Sequence, residues 1–416
     1  MTPVVHREGA GMDFEETPEE AAWRAECRAF LSQHASEKSA DKMTLTMSTM
    51  AEDELAHVQA CRDWQRTKAE AGWAGLTWPV AYGGRALSGL LQGIFLEEES
   101  HFDVAPGMFA QAIGMVGPSI IVHGTEEQKQ AFLPSILRGE QVWCQLFSEP
   151  NAGSDLAGLR TKAELDGDEW VVTGQKVWTS SAHVSDWGML LARTDFDAPK
   201  HRGITYFLVD MRSAGIEVRP LKQATGGAEF NEVFLEEVRI PVANVLGEVN
   251  GGWGVAMTTL TSERADIGSG HGMNFSNILE LARRFGVTDD SVMRQKLMEL
   301  YISYEISRFT GYRMRTAASR GEAPGPEVSV AKIAVSNRLA FQGDLVEEIM
   351  GAEGMLWGED APDEGYWQSM VFTGQWMARI GGGTEDVQRN IVGERVLGLP
   401  REPSNDRTTP FRELPH

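Results

Sequence analysis

The sequence predicts a multidomain α+β fold, helical at both ends with a β-domain between, and three observations carry this. Capped segments with helical apolar spacing fill the first third. Short β-branched and aromatic runs punctuated by glycine turns occupy the middle, and long helical patterns return after about residue 253. In order, Thr17-Pro18-Glu19-Glu20 is a capping box with proline at the first helical position, and residues 21–35 continue it with apolar residues at helical spacing. Further helical patterns cover 53–72, 90–102 and 108–123, and Thr125-Glu126-Glu127-Gln128 caps another that runs to Arg138. Strands follow at Trp170-Val171-Val172-Thr173, Gly188-Met189-Leu190-Leu191-Ala192 and Ile204-Thr205-Tyr206-Phe207-Leu208-Val209, with Asp166-Gly167, Thr173-Gly174 and Arg202-Gly203 as turns. Beyond Asn250-Gly251-Gly252, helical spacing over 253–285, 290–320, 326–350 and 384–397 predicts a four-helix bundle. The expected division is a helical domain at 1–141, a β-domain at 142–250, a bundle at 251–400 and a tail at 401–416. The tail reads as a mobile extension or an arm onto a neighbouring subunit.

Composition narrows the function. With 38 Lys and Arg against 60 Asp and Glu, the net charge of −22 repels nucleic-acid backbones and anionic lipid surfaces. No apolar run is long enough to cross a membrane, so no membrane insertion is expected. Cys27, Cys61 and Cys144 are widely spaced and odd in number, which predicts reduced thiols and a cytoplasmic setting. The first residues lack the apolar run of a secretory signal, and Asp13, Glu15, Glu16, Glu19 and Glu20 are wrong for a transit peptide. The nine histidines form no His-x-x-x-His pair and have no cysteine at metal spacing, so no metal site is expected. Neither a phosphate-binding Gly-Lys-Ser/Thr loop nor a Gly-x-Ser-x-Gly elbow occurs. Gly268-Ser269-Gly270-His271-Gly272 follows no strand and reads as a close helix contact, with His271 given no role.

Chemistry points to four segments. Phe147-Ser148-Glu149-Pro150-Asn151-Ala152-Gly153-Ser154-Asp155 opens the β-domain; its glycine admits a ligand close to the backbone and its hydroxyls and N–H groups can bind oxygen atoms. Alone it would be a surface turn. Gly174-Gln175-Lys176-Val177-Trp178-Thr179-Ser180-Ser181 lies within the β-domain, and Glu348-Ile349-Met350-Gly351-Ala352-Glu353-Gly354-Met355 lies in the bundle. Near the C-terminus runs Ala378-Arg379-Ile380-Gly381-Gly382-Gly383-Thr384-Glu385-Asp386-Val387-Gln388-Arg389-Asn390. In this order, and together with the turn segment at 72–84, they resemble the signature regions of the acyl-CoA dehydrogenase family over residues 72–400. The resemblance implies a helical N-terminal domain, a middle β-barrel or sandwich, a C-terminal four-helix bundle, and FAD bound at subunit interfaces of a homo-oligomer, usually a tetramer.

By position, the resemblance implies that Trp178 packs on the flavin and Ser180 hydrogen-bonds it, with Gln145, Phe147, Ser148, Gly153, Ser154, Thr384 and Asp386 also at the cofactor. Glu348, Gly351 and Ala352 fall in the segment that meets the adenine end of FAD held mainly by a neighbouring subunit. Ala282 stands where many members place an arginine for the neighbour's FAD pyrophosphate, leaving Arg283, Arg284 and Phe285 as the nearby candidates. Asp386 stands where a glutamine often contacts the cofactor. Ser154, Thr194, Glu263, Arg264 and Gly383 align with positions near the CoA thioester or its pantetheine arm.

The family anchors its catalytic glutamate in one of two places. Here the first, before the Gly-Thr of the C-terminal motif, is Gly382, and the second, on the first bundle helix before an arginine, is Glu263-Arg264. Glu263 is therefore the expected base, since desaturation needs a carboxylate within reach of the α-carbon proton in a dry pocket. Gly381 and Gly382 also leave room beside the acyl pocket, which predicts a branched or bulky acyl group. The implied reaction is FAD-dependent α,β-dehydrogenation to a trans-2-enoyl-CoA, with electrons passed to an electron-transferring flavoprotein. Two alternatives stay open: an acyl-CoA oxidase or flavin monooxygenase of the same fold, and a non-catalytic subunit of a hetero-oligomer.

Overall fold

The computed structural model describes residues 16–38, 51–267, 275–319 and 327–414, apart from the side chains of 51–53, 263–267, 315–319 and 327. Helix α1 (Pro18–His34) begins at the predicted box: the Glu20 N–H donates to Thr17 Oγ1 at 3.2 Å and the Thr17 N–H to the Glu20 carboxylate at 2.7 Å. Its apolar face, Trp23, Cys27, Phe30 and Leu31, packs with Trp64 of α2 (Ala51–Glu70), Trp73, and Ile94 and Phe95 of α3 (Gly89–Glu99). The pattern expected at 108–123 is one helical path with a π turn at Ala112–Val116 between α4 (Gly107–Gln111) and α5 (Gly117–His123). Helix α6 (Glu126–Leu137) closes the first region.

Seven strands form one sheet: β1 (Trp143–Leu146), β2 (Lys162–Asp166), β3 (Glu169–Ser180), β4 (Trp187–Arg193), β5 (Ile204–Asp210), β6 (Ile216–Pro220) and β7 (Phe230–Pro241). The path runs β1-β4-β2-β3-β7-β6, with β5 antiparallel to β4. Alternation along the strands feeds two cores. Met189, Leu191, Tyr206 and Leu208 face the helices and pack with Trp78, Ile120, Phe132, Leu133 and Val255. Cys144, Leu190, Phe207, Val209, Val172 and Val233 fill the opposite core.

The C-terminal region holds α7 (Gly252–Ile267), α8 (Phe275–Arg284), α9 (Ser291–Ser319) and α10 (Glu327–Met350). The pattern expected over 253–285 is two helices, and the glycine-rich run at 268–272 lies outside the described residues. Leu281, Ala282, Leu297, Leu300, Leu345, Val346 and Trp367 build a third core. Residues 351–380, for which the sequence shows no period, form short 3₁₀ turns, a π turn at Trp367–Thr373 and α11 (Gln375–Ile380). Helix α12 (Glu385–Ile391) follows, ending in a further π turn. Met355, Trp357, Trp376, Met377, Ile380 and Leu397 are exposed. The tail, expected to be mobile or to reach a neighbour, instead lies along its own β-domain: the Phe411 N–H donates to Ala198 O at 3.0 Å and the Arg412 N–H to Phe196 O at 3.1 Å. An aromatic and an aliphatic anchor, Phe411 and Leu414, are buried there. Among the described residues, no helix is long and apolar enough to cross a membrane, and no cluster of His, Cys, Asp and Glu could hold a metal ion.

Candidate active site

The segment after β1 is fastened from below. Glu149 and Ala152 exchange backbone hydrogen bonds of 3.1 and 3.0 Å, closing a tight turn. The Glu149 carboxylate accepts from Arg160 N at 2.6 Å, Thr161 N at 2.9 Å and Lys176 Nζ at 2.8 Å. Lys176 is fully buried and donates also to Phe147 O at 3.1 Å, while Val177 N donates to Ser148 O at 2.9 Å. Burial alone would raise the Glu149 carboxyl, but the Lys176 ammonium and these N–H groups hold it below its ordinary value. The loop at 147–155 is thus latched to β3.

Immediately beyond the latch β3 loses register with β7, between Lys176 and Thr179. Trp178 takes a left-handed backbone, φ 60°, and is 62% exposed, its ring edge-on to Phe230 at 6.1 Å. A bulky residue in this conformation costs on the order of 1–3 kcal/mol, a strain found at ligand-binding positions. Ser180 is exposed, whereas Thr179 is buried with no hydrogen-bond partner for its hydroxyl among the described residues. Asn231 Nδ2 donates to Thr179 O at 2.9 Å; its Oδ1 lies 3.2 Å from His183 Nδ1, whose Nε2 is 2.6 Å from Glu54 on α2. Nothing lies within 4 Å of where a Cβ on Gly153 would stand. An exposed indole on a bulge, a buried hydroxyl without a partner and an open glycine suit a flat aromatic ligand carrying hydrogen-bonding edges, as an isoalloxazine does.

Of the expected CoA-side residues, Ser154 is exposed and Thr194 donates to Asn250 Oδ1 at 2.6 Å, with Thr205 Oγ1 at 2.7 Å. Gln145 is half-buried on β1, and Phe147 is buried against Tyr206. Glu263 and Arg264 lie in the last turns of α7, and their side chains are outside the described residues. One turn earlier Thr259 is fully buried, its Oγ1 2.8 Å from Ser119 Oγ and 3.3 Å from Tyr206 OH, while His123 Nε2 lies 2.8 Å from Thr258 Oγ1. Burial pushes the Tyr206 phenol up and the His123 imidazole down, so both stay neutral near pH 7. These hydroxyls tie α7 to β5 and α5.

At the C-terminal motif, Gly382 and Gly383 have φ 65° and 90°, and a Cβ at 383 would stand 2.6 Å from Gln388 Nε2. The backbone turn itself calls for glycine here. Thr384 caps α12, accepting from Val387 N at 3.3 Å, and Asp386 is exposed beside Arg389.

The adenine-side candidates are differently disposed. Ala282 is buried in the third core. Arg284 is held by Asp363 at 2.6 and 2.9 Å, and exposed Arg283 has Glu280 at 3.7 Å. Glu348 is paired with Lys296 at 2.5 and 2.6 Å, and Gly351 and Ala352 are exposed. Arg284 and Phe285 line a hollow with Glu353, Asp360, Ala361 and Pro362. The hollow thus holds two carboxylates and one guanidinium, itself paired with Asp363. Sequence reasoning missed the Lys176–Glu149 latch and the Thr259 hydroxyl cluster, neither of which has a local sequence signal: their partners lie 27 and 140 positions apart.

Helical ends, a β-domain between them and a bulged strand presenting an indole make the three-part scaffold of a dehydrogenase family whose models match it domain by domain. Family models for the N-terminal, middle and C-terminal domains of acyl-CoA dehydrogenase match residues 17–140, 144–238 and 250–397, and the chain belongs to that oxidoreductase family. It is 41% identical over 347 residues to acyl-CoA dehydrogenase IpdE1 of Mycobacterium tuberculosis, covering 82% of this chain and 88% of that one. Acyl-CoA dehydrogenase FadE29 of the same organism is 32% identical over 397 residues, covering 93% and 98%. Among solved structures, a protein described as the Tcur3481-Tcur3483 steroid ACAD superposes with TM-score 0.78 at 31% identity, over 94% of this chain and 100% of that one. The ChsE4-ChsE5 complex from Mycobacterium tuberculosis gives TM-score 0.75 at 29% identity, over 94% and 100%.

Proposed function

We propose that the chain catalyses α,β-dehydrogenation of an acyl-CoA thioester, with Glu263 as the base and electron-transferring flavoprotein as the electron acceptor. The carrying observation is the latched, outward-turned Trp178 in a chain whose alternative base position is glycine. Bound FAD would be held by Trp178, Ser180, Ser148 and Gly153 and would supply the acceptor for a hydride from the β-carbon. Glu263 takes the proton from the α-carbon, and the electron pair of that C–H bond becomes the new π bond of the enoyl thioester. Thr259, fixed by Ser119 and Tyr206, holds the helix that carries the base. Backbone N–H groups polarise the thioester carbonyl and stabilise the developing enolate. Anaerobic addition of straight-chain, branched and polycyclic acyl-CoAs to protein shown to carry bound FAD, followed by flavin absorbance, tests the reaction; no bleaching of that flavin by any of them would end this reading.

A bulky, ring-containing acyl group is the proposed substrate class. Glycines at 381–383 put no side chain there, and a similar structure is described as a steroid enzyme. For Trp178→Ala we expect roughly fivefold weaker FAD binding, about 1 kcal/mol of lost ring contact, measured by titrating apo-protein with FAD.

The acidic hollow around Arg284 favours a hetero-oligomer over a homo-oligomer. In a homomer the same surface would face the cofactor's diphosphate, whereas a partner chain can offer a basic one. Two structures with such likeness are named as pairs of chains. Purified alone, the chain is expected to carry clearly less than one FAD per chain; a full complement in a homo-oligomer would overturn the hetero-oligomer reading.

A further inference from the structure

We propose that the C-terminal tail is a positioning strap for the CoA entrance, in which Phe411 on Arg193 holds the loop at 194–203 and, through it, the segment at 153–160. Arg193, at the end of β4, is a fully buried cation that no carboxylate contacts among the described residues. Such a charge is costly unless its donors are met. Each of its three nitrogens meets a backbone carbonyl: Nε donates to Leu159 O at 3.1 Å, Nη2 to Ala157 O at 2.7 Å and Nη1 to Lys200 O at 3.2 Å. One guanidinium thereby binds the turn at 156–159 to the loop at 194–203. The remaining face is covered by the tail: the Phe411 ring lies 3.5 Å from Arg193 Cζ, with Phe196 at 5.9 Å from Phe411. Desolvation depresses the Arg193 pKa to about 10, still charged at neutral pH, so the ring faces a cation.

The tail also meets the loop by main chain. Besides the Phe411 and Arg412 N–H bonds to Ala198 O and Phe196 O, Pro410 bridges Pro199, and Arg412 Nε lies 2.6 Å from Asp197. From the loop the linkage continues both ways. Lys200 Nζ reaches Asp155 at 2.5 Å, next to Ser154, and the His201 ring meets Trp253 in the first turn of α7 at 4.9 Å, edge-on. Thr194 begins the loop. Residues 411–414 thus brace both Ser154 and Thr194 without touching either. The inference rests on reading those two as CoA-side residues. It assigns work to a segment beyond the matched family domains, which end at residue 397.

The test uses FAD-loaded protein and coenzyme A itself as the probe, with binding measured by calorimetry per flavin-containing site. Phe411→Ala is expected to weaken CoA binding by about five- to tenfold, leaving FAD content and the flavin spectrum unchanged. Phe411→Tyr, which keeps the ring face, restores binding, and Phe411→Leu, which keeps buried volume without the ring, falls between and guards against misfolding of the alanine variant. A role limited to stability would lower the unfolding temperature without changing CoA affinity per flavin site, and that result overturns the strap. Ser154→Ala and Thr194→Ala separate the two readings. If they weaken CoA binding and Phe411→Ala does not, the strap fails; if the unaltered protein binds no CoA or these two variants bind it normally, the CoA-side reading fails and the strap with it.

Discussion

Glu263→Gln is expected to lower the rate of flavin bleaching by acyl-CoA on the order of 10³-fold while FAD content stays unchanged. Glutamine matches glutamate in size and nearly in helix propensity, so α7 should persist to its end. What disappears is the proton acceptor, and general-base catalysis supplies about 10²–10⁴-fold. Gly382 offers no carboxylate to take over. Glu263→Asp should fall between, because the carboxylate draws back by one methylene from a helix held in place by Thr259, Ser119 and Tyr206. Rapid-mixing absorbance of the anaerobic protein measures both variants. Bleaching by Glu263→Gln at the parent's rate would remove Glu263 from the reaction.

Lys176→Met should destabilise the β-domain by about 3–5 kcal/mol, because it leaves the Glu149 carboxylate buried without its cation. Chemical denaturation reads this as a lower midpoint. Glu149→Gln combined with Lys176→Met should recover a good part, since neither charge is then stranded; an additive loss would show that the pair is not coupled. The acid limb carries the sign. Glu149 is held below its unfolded value, so its contribution is complete above that unfolded value and is lost as pH falls through the lowered folded one. Without Lys176 the folded carboxyl rises, so the variant should lose less stability on acidification than the parent. Trp178 stands two residues beyond Lys176 on the same strand, so FAD retention should fall in parallel with stability.

The elements most legible in the sequence were those with local causes. Thr17 and Thr125 cap their helices through reciprocal bonds three residues long, and the runs at 188–192 and 204–209 are strands because their β-branched and aromatic side chains are buried on both faces. Residues 351–380 were not legible: among the contacts that hold their turns, Asp363 meets Arg284 across 79 positions and Trp367 four positions on, which leaves no period. The candidate site divides in the same way. The segment at 147–155 taken alone is a turn; what makes it rigid is Glu149 meeting Lys176 across 27 positions. Gly382 was read as open space beside the acyl chain, and the structure adds a backbone reason, its positive φ. The tail's place on Arg193 had no local signature at all, since a cation–ring contact between residues 193 and 411 depends on the whole fold.

The exposed apolar side chains around α11 and after α12 govern how copies of the chain behave toward one another in solution. Trp376, Met377, Ile380 and Leu397 would attract the same patch on another copy, while a charge of −22 pushes copies apart. The two forces respond oppositely to ions: at about 1 M salt the screening length shrinks to roughly 3 Å, and excluded salts such as sulfate strengthen apolar contact. Charge therefore acts as a colloidal guard, keeping copies of the chain dispersed in spite of the exposed patch.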